Sequence, residues 1–313
     1  MSAEIVQVLT DAGWPAAGVL TAHKVFGPSL GVLGTNLGEW VDKWTTNFLR
    51  IADRAETKLG SAAEDPGEVP PRVMQRILTD AAWTDDPVSQ DYYAGLAASS
   101  RSEEGNDDSN VPLLSVLASL GSRDIRLHYL IYKAIREGLH GGWSMGQSEG
   151  RTPATLYLPA TAVAQGMDWS VEEAVRTMPE VVATLARVGL IEQQPWATGG
   201  GPSLNRVGGR SWEAPAPGLV ISPSWLGLNL AIRADGPSAV STSHYLYTMG
   251  WTELPEVEFD AGQALFPKAP ATQEALMALR EKVGHAHNLP ALGWAISNLP
   301  VEVGEDPNPG GER

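Results

Sequence analysis

Gly27-Pro28-Ser29-Leu30-Gly31 has the G-x-S-x-G spacing that can present a nucleophilic serine on a sharp strand-to-helix turn. That chemistry needs a strand before the serine and a histidine and an acid brought to it by an α/β sheet. Val25-Phe26 is too short for a central strand, and helical patterns surround the motif. Ser29 therefore reads as part of a helix start, with Pro28 in the first turn, where its missing N–H would have no partner anyway. No Lys-Ser/Thr pair follows the glycines, which argues against a phosphate loop. What remains is a stripe of small residues. Gly27 and Gly31, and again Gly34 and Gly38, are spaced so that two helices can approach closely. Glu39, Asp42 and Lys43 follow at once, which favours packing inside a helical domain or a homodimer over membrane insertion.

The histidines and acids offer less. His285 and His287 lie on different faces of a helix, with no carboxylate cluster nearby to complete a metal site. His128 has Arg123, Asp124, Arg126 and Tyr129 as neighbours and reads as the polar side of a core helix. The alternative is a polar pocket shared with Arg101 and the acidic loop Glu103, Glu104, Asp107 and Asp108. That loop lacks the alternating ligands and closing Glu of a calcium hand. Ser99-Ser100-Arg101 closes a helix and reads as a cap paired with nearby acids rather than an anion site. No catalytic set, metal site or cofactor site emerges, and the expectation leans away from an enzyme.

The chain has 313 residues, 43% of them hydrophobic, 11 Trp and no Cys. Such a composition is that of a globular protein without disulfides or thiolate metal sites. The N-terminal stretch has no basic region leading into a long apolar one, and no apolar run is long enough for a membrane span, so a cytoplasmic protein is expected. The net charge of −15 is unevenly spread. Residues 1–150 carry 12 Lys/Arg against 20 Asp/Glu, residues 151–234 carry 6 against 6, and residues 235–313 carry 4 against 11. An acidic chain repels phosphate backbones, so specific nucleic-acid binding is disfavoured.

The elements follow from periodicity and punctuation. Residues 1–24 read as a short helix broken at Gly13 and Pro15. From Ser29 to Leu59 apolar residues recur every three or four positions, through Leu30, Leu37, Val41, Phe48, Ile51 and Ala55, until Gly60 stops the helix. Further helices are predicted over Pro71–Trp83, 85–100, 111–120 and 122–139. The middle then changes character. "TLYLP" reads as a strand, "SVEEAVRTM" and "PEVVATLARVGL" as two helices separated near Pro179, "LIEQQPW" as a strand, and "LVIS" as another after a glycine-rich loop. Helix–turn–helix followed by a two-strand hairpin is the winged-helix pattern. A helix opened by Ser222-Pro223 follows, with one more helix near "ATQEALMALREKV".

Taken in order, these segments resemble the Abi-alpha family, bacterial proteins of unknown biochemical activity associated with phage abortive infection. The resemblance rests on "VFGPSLGVLGTNLGEWV", "NFLRIADRAETKLG", "EDPGEVPPRVMQRILTDAAWTDDPVSQDYYAGLAASSRS", "LLSVLASLGSRDIRLHYLIYKAI" and "ATLARVGLIE". It covers about residues 25–230. The family has no established catalytic set, so it implies a fold and a phage-defence context but no active-site residue.

The fold expected is mainly α: an N-terminal helical domain followed by a winged-helix-like α+β domain. The boundaries are a helical extension at 1–24, an α-helical Abi-alpha-like domain at 25–145, the winged-helix-like domain at 151–234, a C-terminal extension at 235–300 and a disordered tail at 301–313. The function expected is antiphage defence through protein–protein interaction, by a homodimer with an unidentified protein partner, phage-derived in that context. Two alternatives stay open. A DNA-binding regulator would use Arg187 on the second helix with Arg206 and Arg210 on the wing, whereas Glu180 opposes it. A membrane-acting toxin would use residues 25–48. With Gly27, Gly31, Gly34, Gly38, Arg101 and His128, these three arginines complete the candidate interaction residues.

Overall fold

The computed structural model describes residues 41–81, 84–138, 151–192, 205–207, 210–212, 216–236 and 253–266. Residues 1–24, the glycine stripe Gly27–Gly38, His285, His287, the helix predicted near 271–283 and the tail at 301–313 lie outside the described residues.

Helix α1, Val41–Leu59, buries Phe48, Ile51, Ala52, Ala55 and Leu59, a single face at helical spacing. It ends at Gly60, whose φ of 55° is left-handed backbone that favours glycine. Helix α2, Pro71–Asp80, starts on a proline and buries Val73, Met74 and Ile77. Helix α3, Pro87–Ser99, is capped by Asp86, whose Oδ2 accepts from the Ser89 N–H at 2.8 Å. Every residue from Val88 to Ala98 of α3 is buried, so this helix is the central post of the fold. α4, Val111–Ala118, and α5, Ser122–Gly138, follow. α5 is buried from Leu127 through Ile135.

The second half alternates strands and helices. β1 is Leu156–Pro159 and runs directly into α6, Ala160–Met167, which Asp168 closes at φ 58°. α7, Val171–Arg187, has Ser170 as its cap, the Oγ accepting from the Glu173 N–H at 3.1 Å. β2 is Ile191–Glu192, β3 Asn205–Val207, β4 Arg210–Trp212 and β5 Gly218–Pro223. α8, Trp225–Asp235, follows, capped by Ser224. The antiparallel sheet has the order β1-β5-β2, with Leu156 opposite Ile221 and Ile191 opposite Pro223. β3 and β4 form a separate hairpin, with Arg206 opposite Ser211 and Val207 opposite Arg210.

One hydrophobic core runs from Phe48 to Ala261 and takes residues from both halves. α3 and α5 are shared between them: α8 lies on α3, and α6 and α7 lie on α5. The closest approach is at Gly95 of α3, where an added Cβ would land on the Ala234 backbone of α8.

Three expectations are corrected. Pro179 does not divide two helices, because α7 passes through it. The proline removes the bond to the Val175 carbonyl, but Val175 is on the exposed side, where water can take that bond, while Met178, Val181, Val182 and Leu185 hold the helix to the core. A helix that the sequence pattern does not announce, α6, lies between β1 and α7, and α7 is one continuous helix where two were expected. The cap before α8 is Ser224, not Ser222. Ser222 is buried in β5, its Oγ 2.8 Å from Thr155 Oγ1.

Candidate functional site

His128 is fully buried rather than on a polar side of α5. Its Nε2 lies 3.2 Å from the Gly227 carbonyl and its Nδ1 2.6 Å from the Tyr92 hydroxyl. A carbonyl can only accept, so Nε2 carries the proton and Nδ1 accepts from the phenol. The Tyr132 ring lies at a tilt to the imidazole, ring centroids 4.5 Å apart, and its hydroxyl donates to the Leu190 carbonyl at 2.9 Å. Burial lowers the His128 pKa to about 3, and the Gly227 contact opposes this only partly. The imidazole ties α3, α5 and α8 together as a neutral group. It is closed to solvent and serves no open site.

Arg101 is elsewhere. Its guanidinium donates to the Ala62 carbonyl at 2.9 Å and to the Asp65 carbonyl, pinning the turn after α1 against the end of α3. Glu68 and Ser102 form an antiparallel bridge beside it. The acidic loop is likewise committed to its surroundings: Asp108 pairs with Arg72, and Asp107 accepts from the Ser109 N–H at 3.1 Å. The pocket that would join His128, Arg101 and these acids does not form.

A different charge cluster forms, on α1 and α3. Lys58 Nζ lies 2.9 Å from Asp91 Oδ2, with both side chains buried, and Arg54 reaches the same carboxylate at 3.8 Å. Burial pushes the Asp91 carboxyl up against the pull of Lys58 and Arg54. Arg54 also binds Glu256 at 2.6 Å, which fastens the 253–266 segment to α1. A cleft of about 400 Å³ opens above this cluster between Arg50, Asp53, Thr57 and Glu253. Lys58, Arg54, Asp91 and Glu256 are paired with one another, so the cluster reads as a clamp between α1, α3 and the C-terminal segment. Sequence alone could not find it, because its members lie far apart in the chain.

An exposed surface with two apolar side chains runs along α7. Val171, Glu172, Val175, Arg176, Glu180, Ala183 and Arg187 are exposed along it, with Val171 at 46% and Val175 at 36%. The helix carries Arg176 and Arg187 against Glu172, Glu173 and Glu180. Arg187 also faces Asp124 at the start of α5, whose carboxyl burial pushes up while the Gly121 N–H and Arg187 draw it down. Arg206 and Arg210 sit in β3 and β4, at the hairpin that follows β2. Among the described residues no group of three acids or histidines is placed to hold a metal ion, and no helix is long and apolar enough to cross a membrane. No family model, curated protein or solved structure matches the chain.

Proposed function

We propose that the chain is a non-catalytic interaction protein whose second half is a winged-helix-like contact module. Support for that architecture comes from the element order: α5, β1, α6, α7, β2, the β3–β4 hairpin and β5, with the sheet order β1-β5-β2. In a winged helix the second helix of the pair is the one presented to a partner, and here that helix is α7. The observation that carries the contact reading is the outward face of α7. Two exposed valines stand among opposite charges that cancel nearly one for one, a surface suited to a protein and poorly suited to a phosphate backbone.

The proposed setting is antiphage defence of the abortive-infection type, acting as a homodimer on a protein partner. The setting rests on the resemblance to the Abi-alpha family and nothing else. The test is a phage challenge of a susceptible host expressing the chain or a Val171→Asp/Val175→Asp variant. Both positions are exposed, so the variant keeps its circular dichroism spectrum and melting temperature. The expected result is protection by the parent and its loss in the variant at equal expression. Absence of protection by the parent overturns the defence setting, and full protection by the variant overturns the role of α7.

A further inference from the structure

A second cavity, about 270 Å³, lies between the end of α2, the start of α3 and the α4–α5 turn. Its lining is mixed: Asp80, Tyr93, Thr84 and Ser122 contribute polar groups, and Leu120 and Ile125 apolar ones. Asp80 is the last residue of α2, so its carboxylate stands beside the carbonyls left unpaired at a helix C-terminus. These carbonyls carry partial negative charge, and a carboxylate among them is unfavourable unless a cation joins it. The lining holds no Lys or Arg, and Asp80 forms no ion pair among the described residues. Its Oδ2 is buried without a hydrogen-bond donor. A buried carboxylate oxygen in that state costs more than a satisfied one. The Tyr93 phenol, buried beside this carboxylate, is held in its protonated form by burial and by the charge of Asp80. It is a donor and not a competing anion.

We propose that this cavity binds a small primary-amine cation bearing a hydroxyl, an amino alcohol in chemical class. The ammonium sits on the Asp80 carboxylate, where it supplies the missing counter-charge. The hydroxyl meets Tyr93, Thr84 or Ser122, and the carbon chain lies on Leu120 and Ile125. The volume, just below the roughly 300–1,000 Å³ of ordinary ligand pockets, restricts the ligand to a small molecule. This site is separate from the α7 face and does not depend on the interaction reading.

The experiment is titration calorimetry of the full chain with ethanolamine and, in parallel, with ethylene glycol, which keeps the shape and loses the charge. Saturable heat with ethanolamine and none with ethylene glycol is expected. Asp80→Asn should weaken ethanolamine by about tenfold to a hundredfold, the worth of a hydrogen bond to a charged group. Ala118→Leu, which narrows the cavity from α4 without touching the carboxylate, should weaken it too and covers the case in which Asp80→Asn does not fold. No saturable heat up to about 10 mM ethanolamine, equal heat with ethylene glycol, or binding indifferent to both variants overturns the proposal.

Discussion

The Tyr92 hydroxyl and His128 Nδ1 meet at 2.6 Å inside the core, an α3–α5 contact made between two fully buried groups. Its partners force the neutral tautomer, and protonation would leave the phenol facing a second donor. Burial holds the folded-state pKa at about 3 against an ordinary 6.5. Between those values the unfolded chain binds a proton that the folded chain refuses, so stability rises with pH through this window. It is complete above pH 6.5 and is lost as pH falls toward 3. The size is on the order of a few kcal/mol. Urea unfolding at pH 4 and pH 7 should show a clear difference for the parent. That difference should shrink in Tyr92→Phe/His128→Leu, which removes both polar partners. An unchanged difference would mean that other groups carry the acid sensitivity.

Gly95 sets the distance between α3 and α8. An alanine there drives its Cβ into the Ala234 carbonyl, and backbone cannot rotate away as a side chain can. Gly95→Ala should cost about 3 kcal/mol or more, the upper end for overpacking. Gly121→Ala is the control, since its Cβ would meet only Asp124 Oδ2 at 3.5 Å, an ordinary contact. Its effect should stay within about 0.5 kcal/mol. Equal melting temperatures for the two variants would show that α8 does not seat on α3 this closely.

The Lys58–Asp91 pair separates the value of an ion pair from the cost of breaking one. Lys58→Met strands a buried carboxylate with only the longer Arg54 contact, and should cost about 3–5 kcal/mol. Lys58→Met/Asp91→Leu removes both charges, and also the repulsion between Asp91 and Asp235. The double variant should be more stable than Lys58→Met alone. Denaturant titration of the four proteins in the cycle measures the coupling, and simple additivity would deny that the two groups interact.

Much of the helical half was legible because its signals are local. Pro71, Asp86-Pro87 and Gly60 mark helix ends by backbone chemistry that operates within a turn. α1 and α5 declare themselves by apolar spacing. α6 gives no local signal: it follows β1 without a polar cap, and "ATAVAQGM" is apolar on nearly every side because it is almost wholly buried. Pro179 misled because proline is an unreliable breaker where tertiary packing holds both flanks of a helix. Around His128 the sequence shows only charged neighbours, whereas its partners Tyr92 and Gly227 are distant in sequence. The Asp91 clamp and the Asp80 cavity are likewise products of packing, and no spacing rule reaches them.

The final prediction separates a protein contact from a DNA contact at α7 and its hairpin. Phosphate contacts supply much of the affinity of a DNA complex, and each requires a donor. α7 offers Arg176 and Arg187 against three glutamates, and Arg187 already faces Asp124. Arg206 and Arg210 alone cannot outweigh a chain of net charge −15. The full chain should therefore show no nanomolar binding to labelled genomic duplexes by fluorescence anisotropy, from about 50 to 200 mM salt. A homodimer could gather Arg187, Arg206 and Arg210 from two copies into one patch, which makes the triple Arg→Ala variant the decisive comparison. Nanomolar binding that falls steeply with salt and vanishes in that variant would make the chain a DNA-binding regulator.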